Sequence, residues 1–394
     1  MHELKQMLQR LGMNLAATFR RETLSTRYIP ELDGLRCIAV LLVLFYHLDA
    51  YLRAKNDWGN GMSWLGQCFG CGYFGVEIFF VISGYIILLP FVPRSGADWA
   101  APDLLVFYVR RLVRVWPPYA IALTGFLLAK AAIEGEFAKY LPGYFASLGF
   151  VHNALFHGWS RIVVVAWTLE VEVQFYLLAP LLSLVFLIDN RRLRRSVIGF
   201  AIVASSVFAP WCEVGLSLLQ YSQYFFCGLL LADLSVGQAD LKRSTLADLI
   251  ALGLVPLLWW SVAGHGALGI WIPVLLMVII AVACRGNVLS RCLAHPLMRF
   301  VGGMCFSIYL LHYPVISFVG SLAKKFGSLA GWPFLSYAIQ CLILIVAVLV
   351  FSIMFFVFVE KPFMRRKTID WVVDLMRGAG GSMHKSPQTE LSNG

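Results

Sequence analysis

The stretch L-R-C-I-A-V-L-L-V-L-F-Y-H-L-D-A-Y-L, residues 35–52, decides the fold class. It approaches the run of about 20 mostly apolar residues that lets a helix cross a hydrocarbon core. Within it, Arg36 and His47 stand about three helical turns apart, so both lie on one face. The rise between them is about 16 Å, roughly half the hydrocarbon thickness. One stripe would carry a cation at a membrane surface and an imidazole deep inside. Spacing alone leaves two readings open. Either Arg36 anchors the helix end and His47 is a satisfied core histidine, or the two belong to a site that works within the bilayer.

Nine more stretches pass the same test: 73–92, 115–133, 163–188, 197–212, 217–236, 245–263, 267–284, 299–320 and 335–359. A weaker one at 141–157 is interrupted by Pro142, Gly143, His152, Asn153 and His157, and reads as a loop or half-helix at the interface. Composition agrees. Of 394 residues, 59% are hydrophobic and 14% charged, with a mean hydropathy of +0.75. A soluble domain carries about 45–50% apolar and about 25% charged residues. A water-soluble enzyme, a disordered chain and a nucleic-acid-binding protein are all disfavoured. The expectation is an all-α integral membrane bundle of about ten transmembrane helices over 35–360. It is flanked by an amino-terminal segment, 1–34, and a basic, disordered tail, 361–394.

The net charge of +10 is a topology signal rather than a polyanion-binding stripe, because the basic residues cluster between apolar stretches. Of the 32 Lys and Arg residues, 25 fall on one side and seven on the other: Arg53, Lys55, Lys130, Lys139, Arg161, Lys324 and Lys325. This bias predicts a multi-pass protein of the cell membrane with both termini in the cytoplasm. No apolar run with a small-residue cleavage site precedes the first span, so no removable signal peptide is expected. Most cysteines sit in apolar stretches, where cysteine behaves as a small hydrophobe. Cys68 and Cys71 form a lone C-x-x-C that reads as inert or as a local disulfide, and no metal site is expected.

Polar groups inside the spans need a partner or a purpose, since a charge at the bilayer centre costs about 2.5–3.5 kcal/mol. The fourth span enters as W-T-L-E-V-E-V-Q-F-Y, 167–176. Glu170 and Glu172 are about 200° apart on a helix, so both cannot face one cavity. The ninth span reads F-S-I-Y-L-L-H-Y-P, 306–314, with Tyr309 and His312 on one face. Counted by helical rise, His47, His312 and a fourth-span carboxylate reach one depth. A histidine beside a carboxylate suits general-base activation of a hydroxyl. The same residues also suit an interhelical hydrogen-bond network. The stretch F-Y-V-R-R-L-V-R-V-W-P-P-Y, 107–119, sets Arg111 and Arg114 on one face. Arginine's rigid fork of donors fits phosphate, and Pro117–Pro118 predict a broken helix lining a cavity. The second span, Y-F-G-V-E-I-F-F-V-I-S-G-Y, 73–85, adds Glu77 to the interior. Ser83–Gly84 there reads as close helix packing.

In this order the segments resemble the membrane-bound acyltransferase type 3 family over residues 28–363. They are Y-I-P-E-L-D-G-L-R with its R-x10-H spacing, G-V-E-I-F-F-V-I-S-G-Y, R-L-V-R-V-W-P-P-Y, W-T-L-E-V-E-V-Q-F-Y, S-I-Y-L-L-H and E-K-P-F. The resemblance implies ten helices and transfer of an acyl group, usually acetyl, to a sugar hydroxyl of an envelope or secreted glycan. It implies acyl-coenzyme A as the cytoplasmic donor, with no permanently bound cofactor. It marks His47 as the catalytic histidine and Arg36, Arg111 and Arg114 as essential arginines. The family's fourth-span motif usually reads W-S-L-x-V-E-E-Q-F-Y. Here Val173 replaces the second glutamate, which leaves Glu172 as the matched acid. No esterase-like domain follows in the sequence, so no relay through one is expected within this chain.

The resulting expectation is an O-acyltransferase with His47 and Glu172 catalytic and Arg36, Arg111 and Arg114 on the donor. Asp33, Glu77, Ser83, Tyr309 and His312 would support the cavity. Its partners would be acyl-coenzyme A, a glycan or glycolipid acceptor and membrane lipid. A proton-coupled secondary transporter or an acyl-donor flippase would use the same buried histidines and acids. Such transporters often carry internal repeats and paired broken helices, neither of which the sequence contains.

Overall fold

The computed structural model describes residues 28–56, 63–93, 103–212, 216–235, 243–263, 269–329 and 331–382. These residues are helical almost throughout, with no strand among them and one isolated bridge between Ser244 and Gly286. The principal helices are α1 (Pro30–Lys55), α2 (Gly75–Leu88), α3 (Leu104–Glu134), α4 (Trp167–Leu182) and α5 (Arg191–Phe208). They continue with α6 (Leu218–Ser235), α7 (Thr245–Val262), α8 (Ile272–Ala283), α9 (Cys305–Gly327), α10 (Pro333–Phe355) and α11 (Arg366–Ser382).

Among the described residues, eight segments are long and apolar enough to cross a membrane, where the sequence led us to expect ten. The helices α6 and α8 fill the two remaining positions, and α8, at 12 residues, is short for a full crossing. The 141–157 stretch is not a span: it forms helices Phe137–Leu148 and His152–Phe156. The described chain is thus an all-α, multi-pass membrane protein. Its outward surface fits that reading, since Phe200, Trp211 and Phe358 are 75%, 80% and 73% exposed, as lipid contact requires.

Local chemistry explains the helix bounds. Pro30 opens α1 at a position whose N–H has no intrahelical partner anyway. Glu31 and Asp33 lie in the first turn and Arg53 and Lys55 in the last, each matched to the helix dipole. The helix therefore begins inside the segment 1–34, while residues 1–27 lie outside the described residues. Asp103 caps α3 by accepting from Val106 N–H at 3.1 Å, and that N–H holds the carboxyl below the usual carboxylate range. Gly135 closes α3 at φ 73°, a conformation glycine adopts without strain. Between α2 and α6 the backbones nearly touch. A Cβ on Gly84 would strike the Phe225 carbonyl, and one on Gly228 would strike that of Val81. Ser83–Gly84 does pack closely, as expected.

Two expectations need correction. The Pro117–Pro118 pair does not break α3, which runs as one 31-residue helix with both prolines inside. The pair removes the donors for the Val113 and Arg114 carbonyls. A membrane helix tolerates this where neighbouring groups compensate. The tail is also not disordered over 361–382. Lys361–Met364 and α11 are helical, and only 383–394 lie outside the described residues. Ile369 and Val373, one turn apart, bury against Val109 and Val113 of α3, and Arg377 pairs with Asp103. This apolar stripe holds α11 against the arginine-bearing start of α3.

Candidate active site

Five helices and the end of α10 enclose a cavity with about 930 Å3 of empty space, part of it open to the surroundings. Arg36 of α1 and Arg111 and Arg114 of α3 line it, with Ser83 of α2, Glu172 of α4 and Tyr309 of α9. Six residues singled out from scattered motifs therefore meet in one space.

The arginines are held in different ways. Arg36 donates to Asp33 one turn earlier at 2.6 Å, and Asp33 accepts from Tyr28 OH at 2.8 Å. Arg299 in turn donates to that phenol at 3.0 Å. Arg111 lies over the rings of Phe107 and Tyr176, 5.8 and 5.9 Å from their centroids, in cation–π geometry. Arg114 is half-buried and makes no hydrogen bond or ion pair with any described residue.

Glu172 accepts from Ser83 Oγ at 3.0 Å and from Tyr176 OH at 2.6 Å. Glu170 points elsewhere, accepting from Asn153 N–H at 2.9 Å. The helical angle between the two acids had required this divergence. Tyr309 OH accepts from Thr168 Oγ at 2.9 Å. A second carboxylate, Glu360, is 1% exposed, lines the same cavity and accepts from Ser307 Oγ. The i→i+5 turn Phe356–Glu360 at the end of α10 delivers it. Sequence reading passed over Glu360 as part of E-K-P-F. A carboxylate closing an apolar span was the available signal.

The histidines lie outside this lining. His47 is half-buried, with ring centroids 5.1 Å from His312, 4.9 Å from Tyr46 and 5.2 Å from Tyr313. His312 is 1% exposed, and its Nδ1 lies 2.6 Å from the Tyr309 carbonyl and 3.2 Å from that of Ile308. Carbonyls only accept, so Nδ1 carries the proton and Nε2 the lone pair. That buried Nε2 has no partner among the described residues. Tyr309 links the two halves, lining the cavity while its ring stands 5.7 Å from His312. His47 and Glu172 share no hydrogen bond or ion pair, so the matching depth is not a contact. Glu77 is buried in the first turn of α2, outside the lining, and its Oε2 has no partner among the described residues. Cys68 and Cys71 are free thiols.

Comparison with known proteins adds the family. A model described as "Acyltransferase domain" matches residues 29–357. Among curated proteins, the chain is 26% identical over 373 residues to "Putative peptidoglycan O-acetyltransferase YrhL" of Bacillus subtilis (strain 168), covering 85% of this chain and 55% of that one. It is 26% identical over 329 residues to "Peptidoglycan O-acetyltransferase OatA" of Listeria monocytogenes, covering 74% and 50%. The chain thus spans about half the length of these relatives. No solved structure matches.

Proposed function

Because this chain belongs to the acyltransferase domain family, we propose that it is a membrane O-acyltransferase, moving an acyl group, acetyl in the first instance, from cytoplasmic acyl-coenzyme A to a glycan hydroxyl. The observation that carries this reading is the arrangement of the cavity, with three arginines along it and Tyr309 leading to the histidine pair. The Arg114 fork, without a partner among the described residues and beside Arg36 and Arg111, suits the phosphates of coenzyme A. Glu172, held by Ser83 and Tyr176, stands beside the pantetheine arm. The relatives' names favour a glycan of the peptidoglycan type as acceptor.

In this reading His47 takes the proton of the acceptor hydroxyl. The oxygen attacks the thioester carbonyl, a C–O bond forms and the C–S bond breaks. Coenzyme A leaves as a thiolate and recovers the proton from the His47 imidazolium. The products are an O-acyl sugar, free coenzyme A and neutral His47. His312, fixed by two carbonyls, offers its Nε2 lone pair to hold the His47 ring.

The test is covalent. Membranes carrying this protein and supplied with radiolabelled acetyl-coenzyme A should place label on glycan, and membranes lacking it should not. Unlabelled glycan with coenzyme-A-independent solute uptake would support the transporter instead.

A further inference from the structure

Cations are scarce on the side away from the termini, where charge counting places seven of the 32 Lys and Arg residues. Four of the seven, Arg53, Lys55, Lys324 and Lys325, stand in the last turns of α1 and α9, the two helices that carry His47 and His312. These two ends are clamped together. Lys324 donates to the Lys55 carbonyl, and the Tyr51 ring fills the space that a Cβ on Gly320 would take. Asp49 takes up Arg53, at 2.8 Å. Lys55, Lys324 and Lys325 are exposed, and none of them pairs with an acid among the described residues. Elsewhere on this side Lys130 pairs with Glu134, and Lys139 with Glu136. Asp57 follows Lys55 in sequence, outside the described residues. Even with Asp49 and Asp57 counted, the four cations outnumber the acids two to one. A helix dipole favours a cation at each carboxyl end. It does not explain why two such ends meet, since like charges brought together repel. A shared anion removes that cost.

We propose that the joined ends of α1 and α9 hold an anionic group of the acceptor, a carboxylate or phosphate on the glycan, and so select acidic glycans. The proposal rests on the reading above, in which the acceptor reaches His47 from this side. Lys55 lies eight residues beyond His47 on α1, a rise of about 12 Å. A glycan whose hydroxyl meets His47 therefore brings an acidic group on a neighbouring unit to the lysines. Lysine is a compact charge on a flexible stem, which suits an anion whose position varies along a polymer. Exposed charges act over about 10 Å at roughly 0.1 M salt, so the cluster works on acceptor capture rather than on the transfer step.

The experiment compares an acidic peptidoglycan-type fragment with the same fragment after its carboxylates are amidated. Both are supplied with labelled acetyl-coenzyme A to membranes carrying the full chain. The readout is the ratio of kcat/KM for the two acceptors, which a change in protein amount does not move. The original chain should prefer the acidic fragment by about tenfold, and added salt should shrink that preference. Lys55→Gln, Lys324→Gln and Lys325→Gln combined should bring the ratio near one, through KM. The corresponding triple arginine variant keeps the charges and should keep the preference, which separates lost charge from lost folding. In vesicles of neutral lipid alone the preference should persist, which separates the glycan's anion from a lipid headgroup. Equal use of both fragments by the original chain, or an undiminished preference in the glutamine variant, would overturn this proposal and leave the acyltransferase reading standing. A preference that vanishes in neutral lipid would do the same. Absence of transfer to either fragment, by the original chain as well, would overturn both.

Discussion

Replacing His47 with alanine is expected to lower acyl transfer by about 10²- to 10⁴-fold, the range a positioned general base contributes. The imidazole lies beside His312 and beyond the Tyr309 ring, on the side from which an acceptor would approach. Water does not replace a base held in that position. The helix itself should survive, because His47 is half-buried and makes ring contacts but no hydrogen bond among the described residues. The measurement is turnover with labelled acetyl-coenzyme A, alongside donor binding and thermal unfolding in detergent. Unchanged turnover by a well-folded His47→Ala protein would remove His47 from the chemistry.

The second large effect concerns Arg114. Its guanidinium lines the cavity without a protein partner among the described residues, so its donors remain for a ligand. A charge-assisted hydrogen bond contributes about 1.5–3 kcal/mol. Donor affinity should therefore fall about 10- to 100-fold in Arg114→Ala. Arg114→Lys should recover only part of it, because an ammonium lacks the planar fork. Titration with acetyl-coenzyme A should show the loss, while titration with phosphate-free acetyl-pantetheine should not. Equal losses for both donors would mean that Arg114 only anchors α3.

Apolar length and the spacing of charges made most of the helical architecture legible, because those two features determine what a bilayer accepts. Rise per residue put His47 and Glu172 at one level, yet it carries no information about which helix stands next to which. The structure gives Glu172 to Ser83 and Tyr176, and His47 to His312. Only packing assigns those neighbours, and here the near contact of α2 and α6 at Gly84 and Gly228 contributes to it. Pro117–Pro118 read as a break because local propensity disfavours proline in a helix, whereas the surrounding bundle keeps α3 continuous. The tail read as disordered because its Gly, Ser and basic residues outweighed a short stripe, Ile369 and Val373. That stripe is stable because α3 offers Val109 and Val113 to it. Glu360 was hidden for a similar reason: a single i→i+5 turn changes which way a side chain faces.

In the proposed reaction one site takes its donor from the arginine side and its acceptor from the histidine side. Sealed vesicles of known orientation test it directly, with radiolabelled acetyl-coenzyme A on one side and glycan acceptor on the other. The expected result is labelled glycan when donor is on the cytoplasmic face and acceptor on the opposite face, with none when the two are exchanged. Product only when both substrates share the cytoplasmic face would contradict it.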